Sequence, residues 1–514
     1  MSALMNKYAL QKIRKAKMNY DIHIENLGAI KEANLTITPL TILAGENGTG
    51  KSFVTKFLYS VLNTINIDVY SNYTIGIIKR LNFSLDHFIE FLVDTKESRN
   101  NENIEDYLDY FKNLKLEFKS ISNIIEQRQS DYYELDREII LYFQEIVTSY
   151  DQEMLPKLRK FVDDLESSKT GMLSKGLLSA SIKLIGGLRS PKIGLDRISQ
   201  YLNELIKLFQ NPQLSYLEIL SNYITDELKE NFQVSEIQHL INSSEDSSVF
   251  IIDNLIEVYI SKEKGLSVKL QSDYLYEYER IEHILFFESP VYWRLLPIID
   301  DLDNSRVGGL RYNKHYEVLT GIPKYFYDLK KLLFTNFKEG ERPKFIVECA
   351  DDLKKHLKGH FKSTDSDLTF ESNDGQSIPK NLVSFGMTNI GIIQAVLSKN
   401  IINKGSFVFI DEPESNLHPE WQSVLSEVLV KLASNHVNVI ITTHSSDMLK
   451  ALEVNSENNS DSDLCNLIST NYFSGDGELL NLEGNNSFEK ISSARAELLK
   501  PYSVLSIKEQ LFND

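Results

Sequence analysis

The sequence predicts an α/β protein with a parallel sheet, a smaller antiparallel β subdomain and a large helical insertion. Short buried runs rich in β-branched and aromatic residues occur towards both ends of the 514-residue chain, as in the strands of such sheets. One of these runs continues into a glycine-rich loop and then a helical pattern, the order that a phosphate-binding loop requires. Residues 81–244 contain few glycines and prolines and carry dense charge among spaced apolar residues, which is typical of helices.

The composition is that of an ordinary globular protein, with 42% hydrophobic and 25% charged residues. No apolar run reaches the roughly 18 residues that cross a bilayer, and the first residues lack a signal-peptide pattern, so we expect a cytoplasmic protein without membrane contact. Cys349 and Cys465 are too few for a disulfide framework or a metal cluster. The formal net charge of −18 argues against binding of nucleic acid over the whole surface, and leaves a local basic patch open.

The N-terminal part consists of strand patterns that lead to the glycine-rich loop. Residues 1–19 predict a basic helical extension. Residues 21–28 and 33–38 alternate as strands do, and residues 40–44 form a third, buried strand. The apolar spacing from residue 53 onwards indicates that a helix follows the loop.

The loop reads GENGTGKS and matches G-x-x-x-x-G-K-[ST] between the predicted strand and helix. Its glycines allow successive backbone N–H groups to surround phosphates, and the helix N-terminus adds partial positive charge. We expect Lys51 to reach the β- and γ-phosphates of a bound nucleotide and Ser52 to ligate Mg²⁺. The predicted phosphate-binding residues are Gly45, Glu46, Asn47, Gly48, Thr49, Gly50, Lys51 and Ser52.

The middle of the chain reads as helices and then returns to strands. Helical spacing is present at 103–111, 121–141 and 145–165, and 167–190 predicts a loop. Strand patterns follow at 249–252, 257–260, 266–270 and 283–290. Mainly helical residues extend from there to about 363, with interruptions at 303–309 and 340–343, and 367–383 predicts a hairpin that turns at 373–375.

A second informative stretch is the buried strand at 407–410, which ends at Asp411 and Glu412. Buried carboxylates are costly unless they are paired or bound to a cation. In open α/β sheets the ligand crevice lies outside the carboxyl ends of the strands. The pair therefore indicates a cation site; the alternative is a surface turn after an edge strand.

Two further features surround this strand. Ser384 precedes the apolar helix at 390–397, where helix capping is its simplest role. After a predicted helix at 419–433, a buried strand at 437–445 ends near His444, and an ordinary strand-end residue is the alternative interpretation there.

The order of these features resembles the ATP-binding-cassette (ABC) ATPases, in the branch that contains the SMC proteins, RecF and the OLD-type ATPases. The segments 386–394 and 407–422 look most like the stand-alone ATPases of bacterial antiphage systems, such as the Septu ATPase PtuA. The resemblance implies an ABC-ATPase head split between residues 1–80 and 245–450. It leaves 81–244 as the helical insertion and 451–514 as a C-terminal extension.

Roles within one subunit follow from the same resemblance. Asp411 corresponds to the aspartate that holds Mg²⁺ through water. Glu412 corresponds to the general base that orients the attacking water, which requires hydrogen-bond reach to that water. His444 is similar to the histidine that contacts the γ-phosphate.

Other implied roles concern a second subunit. Residues 414–418 would lie at a dimer interface, and Ser384 and Gly386 would touch the γ-phosphate bound to the partner. The signature of this chain reads VSFGM at 383–387 rather than LSGGQ, so Phe385 puts bulk where the family has glycine. The glutamine that senses Mg²⁺ in these ATPases has no assignable position.

The resulting expectation is an ATP- and Mg²⁺-binding ATPase, slow or regulatory, that forms homodimers or higher oligomers in an antiphage defence complex. OLD-type nucleases carry a C-terminal Toprim domain, for which the roughly seventy residues after His444 are too few. The Asp-x-Asp run at 461–463 lies in a polar stretch that predicts a loop. We therefore expect a separate partner nuclease of HNH or Toprim type, through which the complex would reach nucleic acid.

Two other classes of function stay open. A RecF- or SMC-like DNA-repair ATPase would bind DNA directly, but the acidic net charge and the lack of strict heptads disfavour it. A transporter's nucleotide-binding subunit is disfavoured by the large insertion between the loop and the signature segment.

Overall fold

The computed structural model describes residues 19–98, 103–128, 137–167, 191–253, 255–270, 281, 283–296, 299, 321–335, 342–363, 367–457 and 464–513. Several predicted features lie wholly or partly outside these residues: the N-terminal helix up to 18, the loop at 168–190, the interruptions at 303–309 and 340–341, part of the helix at 121–141, and the run at 461–463. Among the described helices, none has both the length and the apolar composition needed to cross a membrane.

The described residues form fourteen strands. They are β1 (Tyr20–Leu27), β2 (Ile30–Ile37), β3 (Leu40–Gly45), β4 (Ser247–Ile252), β5 (Ile256–Ser261), β6 (Gly265–Leu270), β7 (Ile284–Phe287), β8 (Gly359–Ser363), β9 (Leu368–Ser372), β10 (Ser377–Pro379), β11 (Phe407–Asp411), β12 (Asn438–Thr443), β13 (Ile468–Phe473) and β14 (Leu479–Leu480).

They also form fourteen α-helices. They are α1 (Lys51–Ile65), α2 (Val69–Ser98), α3 (Asn103–Arg128), α4 (Arg137–Thr148), α5 (Leu155–Ser167), α6 (Pro191–Gln210), α7 (Pro212–Phe232), α8 (Val291–Arg294), α9 (Lys324–Phe334), α10 (Lys344–Leu357), α11 (Phe385–Ser398), α12 (Pro419–Ser434), α13 (Ser446–Glu457) and α14 (Ser487–Asn513). A π-helical turn, Ser149–Met154, joins α4 to α5.

The chain divides into two compact units. The head unit comprises Met1–Asn66 and Ser221–Asp514, and the helical unit comprises Ile67–Leu220. In the helical unit the core is aromatic and aliphatic: the ring of Phe111 lies 5.0 Å from that of Phe88 and 6.4 Å from that of Tyr150, centroid to centroid. All three side chains are buried, as expected for helices with one apolar face.

The central sheet of the head unit has the strand order β14-β13-β3-β12-β11-β7. Its strands are parallel except for β14, and β11 and β12 are continuous apolar runs because both faces of such a sheet are covered. The register places Asp411 opposite Thr442 on β12, and Thr442 opposite Leu43 on β3. The carboxyl ends of β3, β11 and β12 therefore coincide at one edge.

Two antiparallel sheets complete the head unit. One has the order β2-β1-β4-β5-β6 and joins the N-terminal hairpin to strands that follow the insertion, through the β1–β4 pairing. The other is the three-stranded sheet β10-β9-β8, which contains the predicted hairpin. The predicted α/β class, with parallel and antiparallel sheets and a helical insertion, is confirmed.

Strand β8 corrects one prediction, because its residues fall in a stretch that the sequence assigns to helix. Helix α10 ends at Leu357, the next residue, Lys358, adopts a left-handed conformation with φ 53°, and the chain turns into β8. Phe361 of β8 then packs on Phe370 of β9 and covers Gly391 of α11, where a Cβ would lie 2.1 Å from the ring. Packing on α11 thus decides the conformation of β8.

The C-terminal segment contributes to the central sheet. Although the sequence predicts an extension at 451–514, β13 pairs with β3 along six residue pairs, from Ile468 opposite Leu40 to Phe473 opposite Gly45. The strand that leads into the glycine-rich loop is therefore covered on one side by β12 and on the other by β13.

We predict that Phe473→Ala destabilises the whole head unit, by about 3–5 kcal/mol, because this fully buried ring belongs to the central sheet. Urea denaturation followed by circular dichroism and by loss of bound nucleotide would measure the effect. Leu480→Ala, on β14 and 38% exposed, is the control and should cost less than about 1 kcal/mol. Unchanged nucleotide release in Phe473→Ala would mean that residues 451–514 fold apart from the head.

Candidate nucleotide site

The glycine-rich loop connects β3 to α1 in a backbone conformation that only glycine tolerates. Gly45, Gly48 and Gly50 have φ values of 146°, 81° and 95°. A Cβ on Gly45 would lie 2.4 Å from the carbonyl oxygen of Phe473, so β13 leaves no room for a side chain there. The loop is thus held against the edge of the sheet where the parallel strands end.

Lys51 closes this loop from within. It is 5% exposed, and its Nζ donates to the carbonyl oxygens of Gly45 at 2.9 Å and Glu46 at 2.5 Å. Burial lowers the pKa of Lys51, and the negative charge of Glu412 opposes this. The ammonium group therefore spans the loop from its end to its beginning, in the position where a phosphate would be neutralised.

A hydroxyl and a carboxylate meet beside the loop. Ser52 Oγ donates to Asp411 Oδ1 at 2.8 Å, and Thr442 Oγ1 donates to the same oxygen. Burial raises the pKa of Asp411, while these two hydrogen bonds lower it. Mg²⁺ is commonly held by one or two protein oxygens together with phosphate and water, so Ser52 and Asp411 fit this ion.

Glu412 and His444 form a second pair at the same edge. Glu412 Oε1 lies 3.1 Å from His444 Nδ1, and each side chain is 39% exposed. The backbone of Glu412 is left-handed with φ 50°, and its N–H donates to Thr442 O at 3.2 Å. This uncommon conformation turns the chain at the strand end, and the carboxylate lies next to an imidazole and within reach of water.

Glu412 and His444 border an open pocket of about 600 Å³, whose lining also includes Asn47, Glu414 and Asn416. Leu498 and Tyr502 of α14 also line it, and no sequence signal marks them. The pocket thus joins the glycine-rich loop to the general-base candidate and to the turn after it.

Ser384 and Gly386 are not among the residues that line this pocket, although Gly386 packs against Asn416, which is. Ser384 Oγ accepts a hydrogen bond from Met387 N at 3.3 Å and so caps α11. A Cβ on Gly386 would lie 2.4 Å from the carbonyl oxygen of Asn416, so glycine is required where α11 meets the turn after Glu412. The structure therefore brings together the loop, Asp411, Glu412 and His444, and leaves the signature residues outside that group.

The side chain of Phe385 packs within its own subunit. The guanidinium carbon of Arg294 lies 3.8 Å from the ring centroid of Phe385, and Arg294 Nη2 donates to Val383 O at 2.9 Å. Phe385, which stands where the ABC ATPases have glycine, is thus covered by the guanidinium group of Arg294 from α8.

Lys56 and Glu288 are charged residues of the site that the sequence did not single out. Strand β7 runs parallel to β11, so Glu288, which follows β7, lies at the same edge as Asp411. Lys56, one turn after Ser52 on α1, forms an ion pair with Glu288 at 2.8 Å. The residue that follows β7, the strand beside β11, is thus a glutamate that is paired with a lysine.

A glycine-rich loop closed by a buried lysine, next to a bonded serine–aspartate pair, defines a P-loop ATPase. The family model described as AAA ATPase domain matches residues 18–449, and the chain belongs to this family of ATPases. The expected nucleotide-binding and ATPase activity is thereby confirmed.

A relative among characterised proteins is the Old nuclease of Escherichia phage P2, which is 35% identical over 92 residues. The match covers 16% of this chain, and the chain spans 16% of the length of that relative. The likeness supports the predicted OLD-type ATPase branch.

We predict that Asp411→Asn stabilises the metal-free protein at neutral pH while removing Mg²⁺-dependent nucleotide binding. Because burial raises the folded-state pKa of Asp411 above its unfolded value of 3.8, the folded protein binds this proton more tightly, and stability falls as pH rises from about 3.8 through the folded pKa. Thermal unfolding in EDTA should show the variant about 1–3 °C above wild type at pH 7, with the gap narrowing towards pH 4. A variant less stable than wild type at pH 7 would contradict this.

Proposed function

We propose that this chain is the Mg²⁺-dependent, ATP-hydrolysing subunit of a bacterial antiphage defence complex, which forms ATP-bridged dimers and controls a separate effector nuclease. The observation that carries the ATPase part is the Ser52–Asp411 hydrogen bond beside the Glu412–His444 pair, at the edge where the loop begins. Phosphoryl transfer depends mainly on positioning and charge neutralisation, and these residues are arranged for both.

Each group of residues has a separate role in the proposed hydrolysis. Backbone N–H groups of 45–52 and the ammonium of Lys51 hold the phosphates, and Ser52 with Asp411 holds the metal. When bound by these residues, Mg²⁺ would supply positive charge that offsets the charge of the phosphates. Glu412 would accept the proton of the attacking water, and His444, which lies beside the same carboxylate, would contact the terminal phosphate.

Dimer formation is proposed because the resemblance to ABC ATPases assigns Ser384 and Gly386 to the γ-phosphate bound by a partner subunit. The start of α11 carries backbone N–H groups that suit a phosphate, and a second copy can present them to the open pocket of its partner. A symmetric dimer would use the same surface on both subunits and hold two nucleotides between them. The turn at 414–418, which touches Gly386, would lie at that interface.

The role in defence is supported by the likeness of segments 386–394 and 407–422 to Septu PtuA-like ATPases and by the local identity to the Old nuclease. The proposed partner is an HNH or Toprim nuclease in the bacterial cytoplasm, and nucleic acid is reached through it. A nuclease gene next to this one, whose product co-purifies with the chain and limits phage plating only when Lys51 is intact, would support the assignment. Phage plating that Lys51→Ala leaves unchanged would oppose it.

A RecF- or SMC-like ATPase that binds DNA directly is the second candidate. The formal net charge of −18 opposes it, since phosphate neutralisation needs clustered cations. A salt-sensitive, ATP-dependent shift of DNA by the purified chain alone would favour it over the first proposal.

We predict that Glu412→Gln binds ATP as wild type does, hydrolyses it about 10²–10⁴-fold more slowly, and accumulates as an ATP-bound dimer. Glutamine keeps the size of the side chain and cannot accept the proton of water. Phosphate release and light scattering after size-exclusion chromatography would measure both effects. Lys51→Ala, the control, should lose ATP binding and stay monomeric; hydrolysis at the wild-type rate in Glu412→Gln would remove Glu412 from the mechanism.

We predict that two inactive variants, Lys51→Ala and Ser384→Arg, regain activity when mixed. Each mixed dimer would contain one intact site, built from Lys51 of one subunit and Ser384 of the other. An ATP-bridged dimer can form around that one intact site, so the mixture should hydrolyse ATP clearly faster than either variant alone. A mixture no more active than its parts would place the signature residues outside the partner's site.

A further inference from the structure

Glu414 is a buried carboxylate to which the roles above give no part in hydrolysis, only a place in the turn 414–418 at the proposed dimer interface. It lies two positions after Glu412 and its side chain is 6% exposed. The other carboxylate of this turn, Glu412, is 39% exposed at the pocket. Glu414 is thus enclosed by its own subunit rather than turned outwards as an interface residue.

The contacts of Glu414 are directed to the end of β12. Its Oε1 accepts hydrogen bonds from Thr443 Oγ1 at 2.7 Å and from the backbone N–H of His444 at 3.1 Å. The same oxygen lies 3.6 Å from His444 Nδ1. Its Oε2 is buried and has no hydrogen-bond partner among the residues that the structure describes, and Glu414 lines the open pocket beside Asn47 and His444.

Two carboxylates face one imidazole nitrogen: Glu412 Oε1 lies within hydrogen-bond distance of His444 Nδ1, at 3.1 Å, and Glu414 Oε1 lies 3.6 Å from it, an ion-pair distance. Ionised carboxylates only accept hydrogen bonds, so Nδ1 must carry the proton. Nε2 is then a hydrogen-bond acceptor, and it can donate to a phosphate only when the ring takes up a second proton and becomes imidazolium. A carboxylate behind a histidine fixes the tautomer and orientation of the ring in this way in many sites.

The charges around Glu414 are consistent with this role. His444, directly after β12, and Glu412, in the same turn, lie next to Glu414. Burial lowers the pKa of Lys51 on α1, and the negative charge of Glu414 is among the charges that oppose this. Burial raises the pKa of Glu414, while the hydrogen bond from Thr443 and the one from the backbone of His444 lower it.

We propose that Glu414 is a positioning residue of the ATPase: its carboxylate holds His444 in the Nδ1-protonated tautomer, with the ring beside Glu412. The proposal rests on the proposed hydrolytic function. Glu414 then acts within its own subunit. It affects the nucleotide only by positioning His444.

The test is Glu414→Gln, compared with wild type. Glutamine keeps the shape and the oxygen that accepts from Thr443 and from the His444 backbone, but its amide carries no charge. The proposal expects kcat to fall about 10–100-fold with the KM for ATP unchanged. It also expects ¹⁵N spectra of histidine-labelled, nucleotide-free protein to show His444 shifting towards the Nε2-protonated form, with the His444 signals assigned from His444→Gln.

Two further variants keep the test decisive. Glu453→Gln removes another buried carboxylate of the head unit, one that pairs with Lys450 and Arg495, and should change neither kcat nor the His444 signals. Thr443→Val removes one donor to Glu414 and leaves its charge, so the tautomer should stay as in wild type even if Glu414→Gln does not fold.

Unchanged His444 signals in Glu414→Gln would overturn the proposal, whether or not kcat falls, since the carboxylate would then act only as a support of the turn. A tautomer change in Thr443→Val would overturn it too. The spectra are recorded without nucleotide, so they report on Glu414 even if wild type does not hydrolyse ATP. Failure of the proposed function would appear separately, as equal phosphate release by wild type and Lys51→Ala.

Discussion

The parallel register of β3, β12 and β11 is the constraint on which the rest of the site depends. Backbone hydrogen bonding sets Leu43 beside Thr442 and Thr442 beside Asp411, so three segments far apart in sequence end at one edge. The first residues beyond those ends are the glycine-rich loop, Glu412 and His444. Backbone pairing therefore brings these groups to the same edge of the sheet. On its other side, β3, the strand that leads into the loop, pairs with β13.

Buried charge at this edge is compensated by local groups. Lys51 is satisfied by loop carbonyls, Asp411 by two hydroxyls, and Glu414 by a hydroxyl and a backbone N–H. An uncompensated charge in such surroundings would cost several kcal/mol, and these partners together reduce that cost. The donors and acceptors are thereby held in place before a nucleotide arrives, which is the condition for electrostatic catalysis.

Glu412 and Glu414 show how one turn gives two carboxylates different roles. Glu412 has a left-handed backbone and a half-exposed side chain, while Glu414 points back under the end of β12. Between them, Pro413 restricts the chain to few conformations. The turn then continues to Asn416, whose carbonyl oxygen packs closely against Gly386 at the start of α11. The Glu412–His444 pair and the start of α11 are therefore neighbours through a single short segment.

The sequence by itself determined the parts of the site that depend on local chemistry. The loop, its lysine and serine, and the Asp-Glu strand end were predictable because spacing and residue type within a few positions decide them. Tertiary structure alone decided features that depend on packing with distant residues. Strand β8 follows from the contact of Phe361 with Gly391, and β13, with its mixed polar sequence, follows from pairing with β3. The partners of Phe385 and Glu414 belong to α8 and β12, far away in the chain, and the pattern around a residue carries no information about a contact of that kind.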